Sequence, residues 1–126
     1  MFKNYTHKME FKFKKELSLD KRKEQSQILL IKDPTRIPVI LEKDPNCKLQ
    51  EIKKTKFLIK KDFTLNHFSR MITAIYPISD VEALFFTAKG KYALSGDKTM
   101  GQIYNEFKDK EDGFLYIAYT TEVVFG

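Results

Sequence analysis

The stretch FLYIAY, Phe114 to Tyr119, gives the strongest strand signal in a chain of 126 residues. It is aromatic and aliphatic throughout, with no charge and no turn residue. Runs of that kind suit the interior of a sheet, where both faces are covered. It also comes last, after the charged loop Asp109 to Gly113. A final strand that belongs in the middle of the sheet constrains everything before it.

Working back from it, EALFFTA (Glu82 to Ala88) has the continuous apolarity of another strand buried on both faces, and KGK makes a turn into YALS, Tyr92 to Ser95. Thr99 caps a short helix in which Met100, Ile103, Tyr104 and Phe107 follow helical spacing. Leu65, Phe68, Met71, Ile72 and Ile75 mark the clearest amphipathic helix, capped by Asp62 or Thr64 and stopped by Pro77. RIPVILEK (Arg36 to Lys43) and KFLIK (Lys56 to Lys60) read as strands, the first ending at the turn Asp44-Pro45-Asn46. Ser18 and Asp20 start a helix over Leu19 to Lys32. That helix ends before Asp33-Pro34, because the residue preceding a proline avoids the α conformation. In the arm, residues 1–17, Met9, Phe11 and Phe13 alternate with charges. The pattern fits a short helix or an extended segment docked on the body, with a loosely ordered basic arm as the default.

The order is therefore helix, strand, strand, helix, strand, strand, short helix, strand. With the first two strands as a hairpin and the long helix crossing the sheet, FLYIAY falls in the middle. That is the order of an α+β, ubiquitin-like β-grasp fold with an N-terminal helical extension. It divides the chain into an arm or first helix (1–17), a ubiquitin-like domain (18–120) and an extended tail (121–126).

Composition narrows the function. The net charge is +6, with +5 in residues 1–23, −1 in 24–42, +5 in 43–61 and −3 in 62–126. Two basic blocks on a mildly acidic remainder suit an acidic partner, an anionic membrane surface or nucleic acid. No apolar run approaches the length of a membrane span, and the basic N-terminus lacks the apolar stretch of a signal peptide. A single cysteine, Cys47, makes no internal disulfide, which suits a reducing compartment such as the cytoplasm. His7 and His67 lie far apart, and there is no phosphate-binding glycine loop and no clustered set of metal ligands. No catalytic residue, metal site or cofactor is expected.

Five segments in register carry a resemblance: DPTRIPVILEK (Asp33 to Lys43), KKTKFLIKKDFTLNHF (Lys53 to Phe68), EALFF (Glu82 to Phe86), TMGQIY (Thr99 to Tyr104) and DGFLYIAY (Asp112 to Tyr119). Together they resemble the autophagy ubiquitin-like modifier family that includes GABARAP and the microtubule-associated light chain, over roughly Leu19 to Gly126. The resemblance implies a β-grasp body, a mixed four-stranded sheet, with two N-terminal helices. It implies that Gly126 is activated, passed as a thioester and joined to phosphatidylethanolamine, so that the protein is a substrate of conjugation and not an enzyme. A glycine suits that role because, without a Cβ, it lets a thiolate or amine approach its carbonyl unhindered. The implied partners are ubiquitin-like activating and conjugating enzymes, a delipidating cysteine protease, the phosphatidylethanolamine membrane, and short motifs of cargo receptors and adaptors. No nucleic acid is expected. The implied location is cytoplasmic, then membrane-attached after lipidation.

The motifs have the form aromatic-x-x-aliphatic, often with acidic flanks, and add a strand to the edge of the second strand. Carried over residue by residue, the aromatic pocket comprises Gln25, Leu29, Pro38, Lys54, Lys56, Leu58 and Phe114. The aliphatic pocket comprises Phe57, Ile59, Lys60, Phe63, Phe68, Met71 and Ile72. Arg36, Lys54, Lys56 and Lys60 form a basic rim. On pattern alone Phe68, Met71 and Ile72 are core residues and the lysines are solvated charges; the family context favours a groove.

Departures from the family pattern bear on this. Gln25 stands where relatives usually carry an acid, Lys60 replaces a common proline, and Ile75 a common basic residue. Ile28 to Ile31 replaces a largely basic helical segment, read as deeper packing, with an apolar patch facing a partner or bilayer as the alternative. Two other functions compete: a modifier joined to a protein lysine, and an unconjugated basic module binding nucleic acid. Against the last, the aromatics fall on core-facing stripes rather than on an exposed basic platform.

Overall fold

The computed structural model describes residues 9–78 and 83–121. Along them run α1 (Lys12–Glu16), α2 (Leu19–Lys32), β1 (Arg36–Lys43), β2 (Lys56–Lys60), α3 (Leu65–Ile75), β3 (Phe85–Ala88), β4 (Tyr92–Ala93), α4 (Met100–Phe107) and β5 (Leu115–Thr120). The strands form one mixed sheet in the order β2-β1-β5-β3-β4, with β5 in the centre as its apolarity demands. β1 pairs antiparallel with β2 and parallel with β5, while β3 is antiparallel to both β5 and β4.

The sheet has five strands where the resemblance implies four. The extra one is the two-residue β4, paired through Thr87↔Ala93 and Ala88↔Tyr92. Its turn is built by Lys89 and Gly90, whose φ values of 60° and 76° are both positive, as a type I′ hairpin turn requires. β3 is also shorter than expected. Two-sided burial begins only at Phe86, since Phe85 is 39% exposed, and Glu82 lies outside the described residues.

Alternation along the strands sends side chains to two cores. Ile37, Val39 and Leu41 of β1, Phe57 and Ile59 of β2, and Leu115, Ile117 and Tyr119 of β5 meet Phe68, Ile72, Met100 and Ile103 from α3 and α4. Ile40, Tyr116 and Ala118 face the other way and cluster with Phe114 and Phe11; Phe13 and Leu29 pack against them. Thr64 and Thr99 cap α3 and α4, and Gln102 completes a capping box at the latter.

The second core overturns the picture of a loosely ordered arm over residues 9–17. Phe11 is 5% exposed and meets Tyr116 edge-on, ring centroids 5.1 Å apart. Phe13 meets Phe114 likewise at 5.0 Å. Residues 1–8 lie outside the described residues.

α2 begins where expected, with Ser18 accepting the N–H of Lys21. Its packing corrects the reading of Ile28 to Ile31 as a deeply packed segment. Arg22, Ser26 and Leu29, at i, i+4 and i+7, turn inward. That leaves Ile28 56% and Ile31 81% exposed. Ser26 bonds the carbonyl of Asp112, and the close approach needs Gly113. Its φ is +84°, and a Cβ there would sit 2.7 Å from Ser26 Oγ.

Candidate functional site

Among the described residues β2 is a terminal strand of the sheet, with no strand paired to its outer edge. Register decides which backbone groups it offers. Thr55 accepts from Leu41, and Lys61 donates to Thr35. With period two, Phe57 and Ile59 share the bonded phase toward β1, and the backbone groups of Lys56, Leu58 and Lys60 point outward. Pro38 fits this scheme. It lies opposite Leu58, in the phase that donates nothing to β2. On its other side the pairing with β5 starts only at Val39. A proline inside a long strand therefore interrupts no ladder bond.

Two of the outward carbonyls already have local partners. Leu58 accepts from the Arg36 guanidinium at 3.3 Å, and Lys60 accepts the N–H of Phe63 at 3.2 Å. Arg36 is further held by Asp33, Nε to Oδ2 3.1 Å. The guanidinium of the basic rim is thus fixed in place, while Lys54, Lys56 and Lys60 are exposed. Lys54 Nζ lies over the ring of Phe57 at 5.0 Å, and Lys56 Nζ lies over that of Phe13 at 5.9 Å.

Of the residues expected to form the aromatic pocket, six fall on the α2 side of the sheet, whereas Lys54 lies on the α3 side, its ammonium over Phe57 and its N–H donating to Tyr76 OH at 3.2 Å. Pro38 and Phe114 are buried, Gln25, Leu29 and Leu58 are half-buried, and Lys54 and Lys56 are exposed. Lys56 Nζ donates to Gln25 Oε1 at 2.9 Å, which ties β2 to α2 across this region. Phe13 is a wall that sequence reasoning missed: half-buried, edge-on to Phe114 and under Lys56. Its alternation with charges was visible, but the position of α1 on the sheet was not.

The residues expected to form the aliphatic pocket, Lys60 apart, lie on the α3 side. Phe57, Ile59, Phe68 and Ile72 are all at most 5% exposed and belong to the main core. Phe63 and Met71 are half-buried against it, whereas Lys60, exposed and in the phase of Lys56 and Leu58, belongs to the α2 side, where its charge acts on Asp33. The surface of this region is therefore Phe63 and Met71, with the four core residues beneath. Gly126 lies outside the described residues. Among the described residues, no group of three or more His, Cys, Asp and Glu side chains is placed to hold a metal ion.

Comparison with known proteins agrees with the fold. The family model described as "Autophagy protein Atg8 ubiquitin like" matches residues 21–126. Autophagy-related protein 8h of Arabidopsis thaliana is 39% identical over 114 residues, 90% of this chain and 94% of the plant protein. The crystal structure of Trypanosoma brucei ATG8 superposes with a TM-score of 0.84 at 30% identity, covering 94% of this chain and all of that one.

Proposed function

The chain belongs to the Atg8 family of ubiquitin-like autophagy proteins, and from that membership we propose that it is a modifier joined through Gly126 to phosphatidylethanolamine. Activating and conjugating enzymes load it, and a delipidating cysteine protease releases it. In this reading it is cytoplasmic before conjugation and attached to autophagosomal or related membranes afterwards. No helix among the described residues is long and apolar enough to cross a membrane.

Once attached, the protein recruits receptors and adaptors through the β2 edge. The observation that carries this half of the proposal is the open edge of β2, with outward Lys56 and Leu58 backbone flanked by three exposed lysines. An extended peptide adds a strand there by main-chain hydrogen bonds, and acidic flanking residues meet the lysines. The aromatic residue enters between α2 and β2, and the aliphatic one beside Phe63 and Met71.

The conjugation half is tested by deleting Gly126 or replacing it with Ala. Both variants should lose carbonate-resistant membrane association in cells while keeping the fold. Intact mass of the membrane-bound wild-type form should show phosphatidylethanolamine on the terminal glycine. Carbonate-resistant association of the deletion variant, or a lysine adduct in place of the lipid, sinks the proposal.

A further inference from the structure

A second surface lies on the face of α2 turned away from β2. Gln25 bonds Lys56 of β2, and Leu29 packs against the second core. On the other flank, Lys23 and Leu30 line a groove of about 220 Å³ against the turn that precedes β5, with Tyr104 opposite. At about 3.6 residues per turn, Leu30, Gln27, Ile31 and Ile28 follow one another round the helix from that groove to its crest. Leu30 is half-buried, while Ile28 and Ile31 are exposed. Apolar surface therefore runs from the groove onto the crest.

The groove also holds more cations than its own acids answer. Lys23, Lys108 and Lys110 line it, and among the described residues none of the three is in an ion pair. Of the acids there, Asp109 is held by Lys14 and Asp112 is buried against Arg22, which leaves Glu111. The turn itself is fixed. Asp109 accepts the N–H groups of Glu111 and Asp112, Tyr104 donates to the carbonyl of Gly113 at 2.7 Å, and Ser26 donates to that of Asp112. A site held in place before its partner arrives loses little freedom on binding.

The middle of α2 spends its backbone N–H and C=O groups within the helix, so recognition there goes through side chains. That rules out strand addition and suits a second helix lying along the first. Charge then sets the kind of helix. Glu24 and Asp20 lie on the crest one and two turns before Ile28. They repel an anionic bilayer, which would meet the whole crest at once, whereas a helix can keep its acids to the turn side. We propose that this face of α2 docks an acidic amphipathic helix of a partner protein. The partner's apolar stripe packs on Ile28, Ile31 and Leu30, and acids on one flank meet Lys23, Lys108 and Lys110. The surface shares no residue with those assigned to the β2 groove, so one copy can hold both partners.

The test is a display library of amphipathic helices with one leucine stripe and acidic, neutral or basic residues on its flank, selected on the full chain. Survivors are counter-screened against Ile28→Ser with Ile31→Ser. Both residues are exposed, so the fold should hold, and matched melting curves check that it does. Acidic-flank helices should be recovered, and should bind the double variant about tenfold more weakly or worse. Lys108→Ala with Lys110→Ala, a second pair of surface changes, should weaken them roughly three- to tenfold and flatten the salt dependence. Lys54→Ala with Lys56→Ala should leave them unaffected. Recovery of no helix, of helices without an acidic flank, or of helices that bind both α2-face variants as tightly as wild type overturns the proposal. If no acidic helix is recovered and Ile28→Ser with Ile31→Ser abolishes either sedimentation with phosphatidylglycerol vesicles or dimerisation in the ultracentrifuge, lipid or a second copy is the occupant instead.

Discussion

Arg22 donates its Nε–H to the carboxylate of Asp112 at 2.9 Å, and Asp112 is wholly buried while Arg22 is 12% exposed. Around this pair the remaining valences are filled. Tyr116 donates to the same Asp112 oxygen at 2.5 Å, and the other oxygen accepts the N–H of Phe114 at 2.9 Å. Arg22 also donates to the carbonyls of Lys14 and Leu17, at 3.1 and 2.7 Å. One network therefore joins α1, α2 and the start of β5. Removing Asp112 leaves a guanidinium, a phenol and an amide buried without their acceptor. Asp112→Ala should cost about 3–5 kcal/mol in urea denaturation. A loss below about 1 kcal/mol would place the network outside the cooperative fold.

The same phenol makes the fold sensitive to alkali. Burial, then donation to Asp112, raises the Tyr116 pKa far above the ordinary value. Burial pushes Tyr119 up to about 12, only partly offset by the N–H of Ile52. A raised folded pKa means that the stabilisation is complete below the unfolded value of 10.0 and disappears as pH climbs toward the folded one. Stability should therefore fall with rising pH above about 10. Phenolate absorbance should show these two tyrosines ionising only together with loss of the far-ultraviolet dichroism signal. Tyr116→Phe should flatten that decline, and an unchanged slope would assign the alkaline loss elsewhere.

Legibility in the sequence followed how local the determinant is. α2, β1 and β2 begin and end at the expected residues, because Ser18, Asp33-Pro34 and the apolar runs are local signals. The central place of β5 was legible too, from its apolarity. What escaped was tertiary. Nothing in MEFKFKK says that Phe11 and Phe13 will meet Tyr116 and Phe114, more than a hundred residues away. Nor does ILLI say which two of its residues face outward, since that depends on Arg22 and Ser26 docking on the Asp112 turn. At the groove, the residue types were readable but the bond from Lys56 to Gln25 was not.

The arm is held by Glu42 as well as by its aromatic rings. This nearly buried carboxylate accepts the N–H of Lys12 at 2.7 Å and of Phe13 at 3.0 Å, so it satisfies the first turn of α1. Glu42→Ala should cost about 1–3 kcal/mol. It should also speed hydrogen exchange at the amides of Lys12 and Phe13. Exchange rates there equal to wild type would mean that Phe11 alone anchors the arm.

The acid limb of stability has its own reporter in Asp109. Its partial burial acts to raise the pKa, but the ammonium of Lys14 at 2.6 Å and the N–H groups of Asp112 and Glu111 together bring it below the ordinary carboxylate value. A lowered folded pKa gives stability that is present above the unfolded value of 3.8 and is lost as pH falls through the folded one. Asp109→Asn should therefore weaken the fold at neutral pH and match wild type more closely below about pH 3. Parallel curves for the two proteins across that window would remove Asp109 from the acid transition.

The groove itself is tested by separating its charge from its apolar wall. Leu58 is half-buried on the outward phase of β2, whereas Lys56 and Lys54 are exposed charges beside it. Exposed charges chiefly set the encounter rate and its salt dependence, while truncating a buried anchor changes how long the complex lasts. Leu58→Ala should thus raise the dissociation rate of an acidic aromatic-x-x-aliphatic peptide, with a loss of about tenfold in affinity from the apolar contact given up. Lys54→Ala with Lys56→Ala should instead slow association and flatten its dependence on salt. Phe63→Ala and Met71→Ala should act like Leu58→Ala, but on the aliphatic position of the peptide. If rates measured by surface plasmon resonance show all of these variants indistinguishable from wild type, the peptide does not bind along this edge.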